Sequence, residues 1–181
     1  MLLEKGISRL LKVVGVEKNF YGHLSDPFLA DIRGKRCLVA TNAHALVVLP
    51  VDGADNDTLG TIPAESLKAL DARKPSHPVE VKVNGSISYS IAGQSMEFER
   101  AERNMPEVEK VIPKPEESDI ILGINPELLL NLAKAMEFNP KLGVVLRLKT
   151  NGHGHVVAAI NVSAPGCPET IGVVMPMQVT T

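Results

Sequence analysis

Apolar positions along this chain follow two rhythms, one helical and one alternating, and the pair recurs three times. Leu3, Ile7, Leu10, Leu11 and Val14 fall at helical spacing and predict an amphipathic helix over residues 2 to about 15, stopped near Gly15, with Lys5, Ser8, Arg9 and Lys12 on its other face. Short strand-like runs follow: Gly22 to Ile32, a turn at Arg33-Gly34-Lys35, then Arg36 to Thr41 and Leu46 to Val51. A polar loop, residues 52–58, leads to a second helix from Pro63 to about Ala72, with Pro63 in the first turn, where a missing N–H does no harm. Val79 to Val83 and Ile87 to Ile91 alternate around Asn84-Gly85, a strong hairpin signal, and Ser95 to Ala101 adds a third strand.

After a proline- and charge-rich link, Asn104 to Ser118, the order returns. Strand Asp119 to Gly123 precedes a helix from Asn125 to about Met136, in which Asn125 caps, Pro126 takes the first turn, and Leu129, Leu132, Ala133 and Met136 share a face. Strand Gly143 to Lys149, a turn at Asn151-Gly152, strand Val156 to Val162 and a loop through Pro165 and Pro168 complete the approach to the last run, Ile171 to Val179. That run carries Pro176, which offers no donor to a ladder, so it belongs at a sheet edge or rim. Its two methionines present soft apolar surface. The whole reads as three strand-helix-strands units, the first without an obvious leading strand, an internal repeat of roughly 50 to 60 residues.

Composition narrows the function. A hydrophobic content of 44% over 181 residues is ample for a core. Aromatic residues are scarce, with no Trp, two Tyr and four Phe, which argues against a base-stacking platform for single strands. A formal charge of -2 excludes a generally basic nucleic-acid binder while allowing a local basic face. Cys37, in a predicted strand, and Cys167, in a predicted loop, make no ligand pair and read as reduced thiols of a cytoplasmic protein. No secretory leader or membrane-length apolar run stands out. His153-Gly154-His155 has no third ligand in view and reads as turn residues, so no metal or other cofactor is expected. There is no Walker-type loop, no nucleophile elbow and no carboxylate pair arranged for acid–base work; the chain is not expected to be an enzyme.

Three segments carry a resemblance. Ala40-Thr41-Asn42-Ala43-His44-Ala45-Leu46 sits where one strand turns into the next. Arg103-Asn104-Met105-Pro106-Glu107-Val108-Glu109-Lys110-Val111-Ile112-Pro113 joins the second and third units, and Met175-Pro176-Met177 lies near the C-terminus. In this order they resemble the bacterial DNA polymerase processivity clamp, the beta sliding clamp. Residues 1–114 are similar to its middle domain (half units of about 1–58 and 59–103, plus the link), and residues 115–181 to the second half of its last domain. The resemblance implies an α+β, DNA-clamp-like fold of three half units, with antiparallel sheets on one face and helices on the other. It implies a non-catalytic role in DNA replication, as a processivity platform, as a binder of clamp-interaction peptides of polymerases and repair proteins, or as both.

Carried over position by position, the family's hydrophobic peptide-binding cleft implicates Leu24, Thr41, Ala43, His44, Ala45, Leu46, Pro106, Val111, Val173, Val174, Met175, Pro176 and Met177, with a packing role for His44. An apolar site walled by methionine suits several related peptides, whose few large side chains would supply most of the binding energy. Asn42, Ala43 and Ala45 stand where the family has Asp, Gly and Arg, and Gln178 where it has Arg. Losing two cations weakens polar edge contacts of a peptide, and Ala43 is expected to resist a glycine-type backbone angle. In the family, helices line the ring and touch duplex phosphates without reading sequence. The cations here would be Lys5, Arg9, Lys12, Lys68, Arg73, Lys74, Lys134 and Lys141.

Two half units make a domain by packing helix beside helix, so a third half unit needs a second copy to cover it. A homo-oligomer, dimer or tetramer, is the expectation; the family's ring has twelve half units, which four chains of three would match. The competing readings are an adaptor or decoy that holds peptides without encircling DNA, and a structural assembly protein that keeps the fold without either activity.

Overall fold

The computed structural model describes residues 1–15, 24–112, 122–136, 143–149, 156, 159–165 and 167–177. The chain divides into two compact units, Met1–Val111 and Ile112–Thr181.

In unit 1 the strands are β1 (Leu2–Leu3), β2 (Phe28–Ile32), β3 (Lys35–Thr41), β4 (Leu46–Pro50), β5 (Gly60–Thr61), β6 (Val79–Val83), β7 (Ser86–Ile91) and β8 (Gln94–Glu99). They form two antiparallel sheets of orders β4-β3-β2-β5 and β1-β6-β7-β8. The alternation of Val79, Val81 and Val83 with Glu80 and Lys82 puts the valines in the core and the charges in solvent. β3, buried from Cys37 to Thr41, is a central strand covered on both faces, so its sequence is a near-continuous apolar run.

The two half units of unit 1 exchange their short leading strands. β1, from the first half, extends the sheet of β6, while β5, from the second, extends the sheet of β2. The first half unit therefore does have a leading strand, contrary to the sequence reading. Leu2 also bridges to Asp52, next to the end of β4.

The expected helix over residues 2–15 is a 3-10 helix, Ile7–Lys12. Leu3 is drawn into β1, Gly6 turns the chain at φ 85°, and Ile7 and Leu10 are buried three residues apart, the period of the tighter helix. The Asp71 carboxylate accepts from the backbone N–H groups of Gly6 (2.7 Å) and Ser8 (2.8 Å), so the helix start is capped by a distant residue. Burial pushes the Asp71 carboxyl up, but the Ser8 side chain and the amides of Ser8, Gly6 and Ile7 hold it below its ordinary value of 3.8.

Helix α1 (Ala64–Ala72) packs beside that 3-10 helix, with Ser66, Leu67 and Leu70 buried. Pro63 stands at the N-cap rather than in the first turn, and Asp26 Oδ1 supplies the cap by accepting from Ala64 N at 2.8 Å. The Tyr89 hydroxyl donates to the carbonyl of Ser66 (2.7 Å), tying α1 to β7. Burial pushes that phenol up to about 12 despite the opposing charge of Arg73. One core unites both halves: Leu3, Ile7 and Leu10 meet Leu29 and Leu38, Leu67 and Leu70, and Val81 and Ile87. Cys37 is buried as a free thiol.

Unit 2 holds helix α2 (Pro126–Ala135) and strands β9 (Val145–Arg147), β10 (Ile160–Ala164) and β11 (Cys167–Val174), in sheet order β11-β10-β9, all antiparallel. Asn125 Oδ1 accepts from Glu127 N (2.9 Å) and Leu128 N (3.4 Å), and Pro126 follows it, as the sequence indicates. Met136, Ile160, Val162 and Val174 form the core, flanked by Leu129, Leu132 and Leu146. Gly172 lets α2 approach β11 closely: a Cβ there would stand 2.6 Å from Met136 Sδ and 3.1 Å from Leu132 Cδ2. The last strand begins and ends earlier than its hydrophobicity indicates. Cys167 and Pro168 lie within β11 rather than in a loop, which an edge strand allows because the missing donor need not face a ladder. Beyond Val174 the chain meets Gly123 again through a bridge at Met177.

Candidate functional site

The Thr41–Leu46 corner of unit 1 is built by two short polar side chains. Thr41 Oγ1 donates to the Ala45 carbonyl (2.8 Å) and accepts from Ala43 N (3.2 Å), while Asn42 Oδ1 accepts from the N–H groups of His44 (3.0 Å) and Ala45 (2.8 Å). This turn chemistry buries Thr41 and leaves Ala43, His44 and Ala45 exposed, with Leu46 half-buried at the start of β4. Ala43 sits at φ 70°, so the left-handed angle expected to be resisted is adopted. It is held by the hydrogen bonds on either side, against a penalty of about 1–2 kcal/mol for a residue with a Cβ. His44, expected to pack, is exposed.

The link after β8 is fastened to the same unit. Arg103 Nη1 donates to Ser25 Oγ (2.9 Å), Arg103 Nη2 lies 3.4 Å from Asp26 Oδ2, and the Glu109 carboxylate accepts from Arg33 N at 2.8 Å. These contacts bring Pro106, half-buried, and Val111, exposed, onto the unit that carries Leu24. Leu24 itself is in the interior and presents almost no surface.

In unit 2 the residues of interest form a row. Along β11 and its extension, Gly172 and Val174 point into the core, whereas Ile171 (74% exposed), Val173 (55%), Met175 (66%) and Met177 (55%) point out, with Pro176 half-buried between the methionines. Val174, implicated with its neighbours by the motif, belongs to the core instead. Ile171 is the residue that sequence reasoning missed, although its i, i+2, i+4, i+6 relation to Val173, Met175 and Met177 was there to be read. On the same face the cross-strand neighbours of Val173 are Asn161 and, one strand on, Arg147, which donates to Ser163 Oγ (2.8 Å). The row is thus an apolar stripe beside a polar strip.

Of the cations considered for DNA, Lys5, Arg9, Lys12, Lys68, Arg73 and Lys74 are all exposed. They come from the 3-10 helix, the turn before it, and α1 with the two residues after it, elements that pack side by side. Arg73 donates through Nη1 to Gln94 Oε1. Lys134 is exposed on α2, and Lys141 lies outside the described residues, as do Gln178, His153 and His155. Among the described residues no group of three or more His, Cys, Asp or Glu side chains could hold a metal ion. No helix among them is long and apolar enough to cross a membrane.

No protein-family model matches the sequence, and no curated protein matches it by sequence. Solved structures do match by shape. The beta subunit of the DNA polymerase of Streptococcus pyogenes superposes with a TM-score of 0.71 at 15% identity, covering 98% of this chain and 50% of that one. A sliding clamp from Bartonella birtlesii, bound to griselimycin, gives 0.70 at 16% identity over 100% and 51%. The sliding clamp of Bacillus subtilis gives 0.67 at 15% identity over 95% and 46%. The chain spans about half the length of these clamps. Its three half units, with antiparallel sheets backed by short helices, are therefore the α+β fold of the bacterial DNA polymerase sliding clamp, over about half that protein's extent.

Proposed function

We propose that this protein is a non-catalytic, cytoplasmic, clamp-like platform that binds short linear peptides of replication and repair proteins and works as a homo-oligomer on duplex DNA. The observation that carries the peptide reading is the outward row of β11 and its extension: Ile171, Val173, Met175 and Met177 place four apolar side chains, two of them adaptable methionines, on one side of the strand, all more than half exposed. A soluble fold leaves such a stripe uncovered where a partner takes it. The likeness in fold to sliding clamps, one of them solved with griselimycin bound, supports the same reading. Thr41, Ala43, His44, Ala45, Leu46, Pro106 and Val111, all on unit 1, are proposed as peptide-binding residues in their own right. Leu24 and Val174, each buried within its own unit, are proposed to act only by holding their neighbours in place. Met175 and Pro176 are proposed to receive the peptide's Leu or Phe anchor, because the thioether repacks around differing shapes.

Calorimetric titration with a synthetic peptide bearing Leu and Phe anchors tests this. Met175→Glu combined with Leu46→Glu, in a protein whose circular dichroism is unchanged, is expected to weaken binding by about 2 kcal/mol, roughly thirtyfold. No binding by the wild type, or affinity indifferent to the double change, removes the peptide reading.

A further inference from the structure

The sheet of unit 2 has one covered face and one open one. Leu146, Ile160, Val162 and Val174 turn inward under α2, where Leu129, Leu132 and Met136 meet them. On the other face one cross-strand row runs from Val173 through Asn161 to Arg147, and beside it Ser163 pairs with Val145. Val145 is 43% exposed and Arg147 is exposed too, while Asn161 and Ser163, on the middle strand, are half-buried. This face thus carries the apolar row of β11 at one edge and a cation at the other.

The Arg147 guanidinium does not stay at its edge. Its Nη1 donates to Ser163 Oγ at 2.8 Å, a diagonal reach that lays the group over the middle strand, β10, one strand spacing, about 5 Å, from the row of Ile171 and Val173. Serine is a neutral acceptor and takes only one of the guanidinium's donors, so the side chain is oriented without its charge being met. The other charged side chains described in unit 2 are Glu127 and Lys134 on α2, which packs against the opposite face, and Lys149, an exposed cation just past β9. No described carboxylate of unit 2 therefore lies on the open face. An arginine held beside an apolar row, with its Nε–Nη2 edge unbonded to any described residue, is arranged for the two-pronged bond that a carboxylate accepts.

We propose that Arg147 selects among peptides: the partner carries an acidic side chain beside its Leu or Phe anchors, and that carboxylate pairs with the guanidinium while the anchors lie on the β11 row. The inference rests on the peptide reading above and adds the partner's charge to it. Two synthetic peptides with the same Leu and Phe anchors, flanked on both sides by Glu in one and by Gln in the other, test it by calorimetric titration of the full chain. The wild type is expected to bind the Glu peptide about fivefold tighter at low salt, the margin of a partly exposed ion pair, and the difference narrows as salt is added. Arg147→Gln brings the Glu peptide down to the affinity of the Gln peptide, and Arg147→Glu reverses their order. Equal affinity of the wild type for the two peptides, or a preference undiminished by Arg147→Gln, overturns the role of Arg147 while leaving the peptide reading in place. Binding of neither peptide overturns both.

Discussion

Residue 43 is where chemistry and backbone disagree. The corner needs a left-handed residue between Asn42 and His44, and the chain supplies alanine at φ 70°. The carboxamide of Asn42 and the hydroxyl of Thr41 hold the angle by accepting three of the corner's N–H groups, those of Ala43, His44 and Ala45. Ala43→Gly removes the Cβ penalty and is expected to stabilise unit 1 by about 1 kcal/mol in urea denaturation, less whatever the freer unfolded chain takes back. Unchanged or lowered stability would mean that the corner tolerates alanine without strain. At the same scale, Leu24 and Val174 show the limit of carrying a motif over residue by residue. Both occupy positions implicated in binding, and both are buried.

Elements are where periodicity was read well and boundaries less so. α2 was legible from end to end because its signals are local: an Asn cap, a first-turn proline and an apolar stripe. The leading helix was misread because Leu3 fits both a helical face and a two-residue strand, and only pairing with Val79 decides between them. β11 and α2 depend on one glycine. Gly172→Ala would drive a methyl group into Met136 and Leu132, at a cost of about 1–3 kcal/mol. Hydrogen exchange is expected to accelerate at the amides of β10 and β11 while those of β6 and β7 keep their protection. Equal loosening of both sheets would show that the strain is not confined to this contact.

For the whole molecule the question is DNA. Six exposed cations on neighbouring elements of unit 1 are the proposed contact to phosphate, one that would be independent of sequence and fade steeply with salt. A protein that encircles duplex behaves differently from one that only adheres to it. On a closed circular plasmid it is expected to stay bound through gel filtration in moderate salt, and to be lost once the plasmid is linearised. Equal retention, or none, on the two forms would make the protein a peptide-holding adaptor or decoy rather than a ring.

Hydrophobic rhythm determined the threefold repeat and the faces of α1 and α2, and Pro176 beside its apolar neighbours determined the edge position of the last strand. Each of these is written in the spacing of near neighbours along the chain. Tertiary structure decided that β1 and β5 change places between half units, that residues 7–12 tighten into a 3-10 helix under the Asp71 carboxylate, and that the side of β11 carrying Ile171 and Val173 is the one left exposed. A strand of two residues has no period to read, and a cap supplied from 63 to 65 residues away leaves no local mark. Which side of an apolar strand faces water depends on the helix that arrives to cover the other.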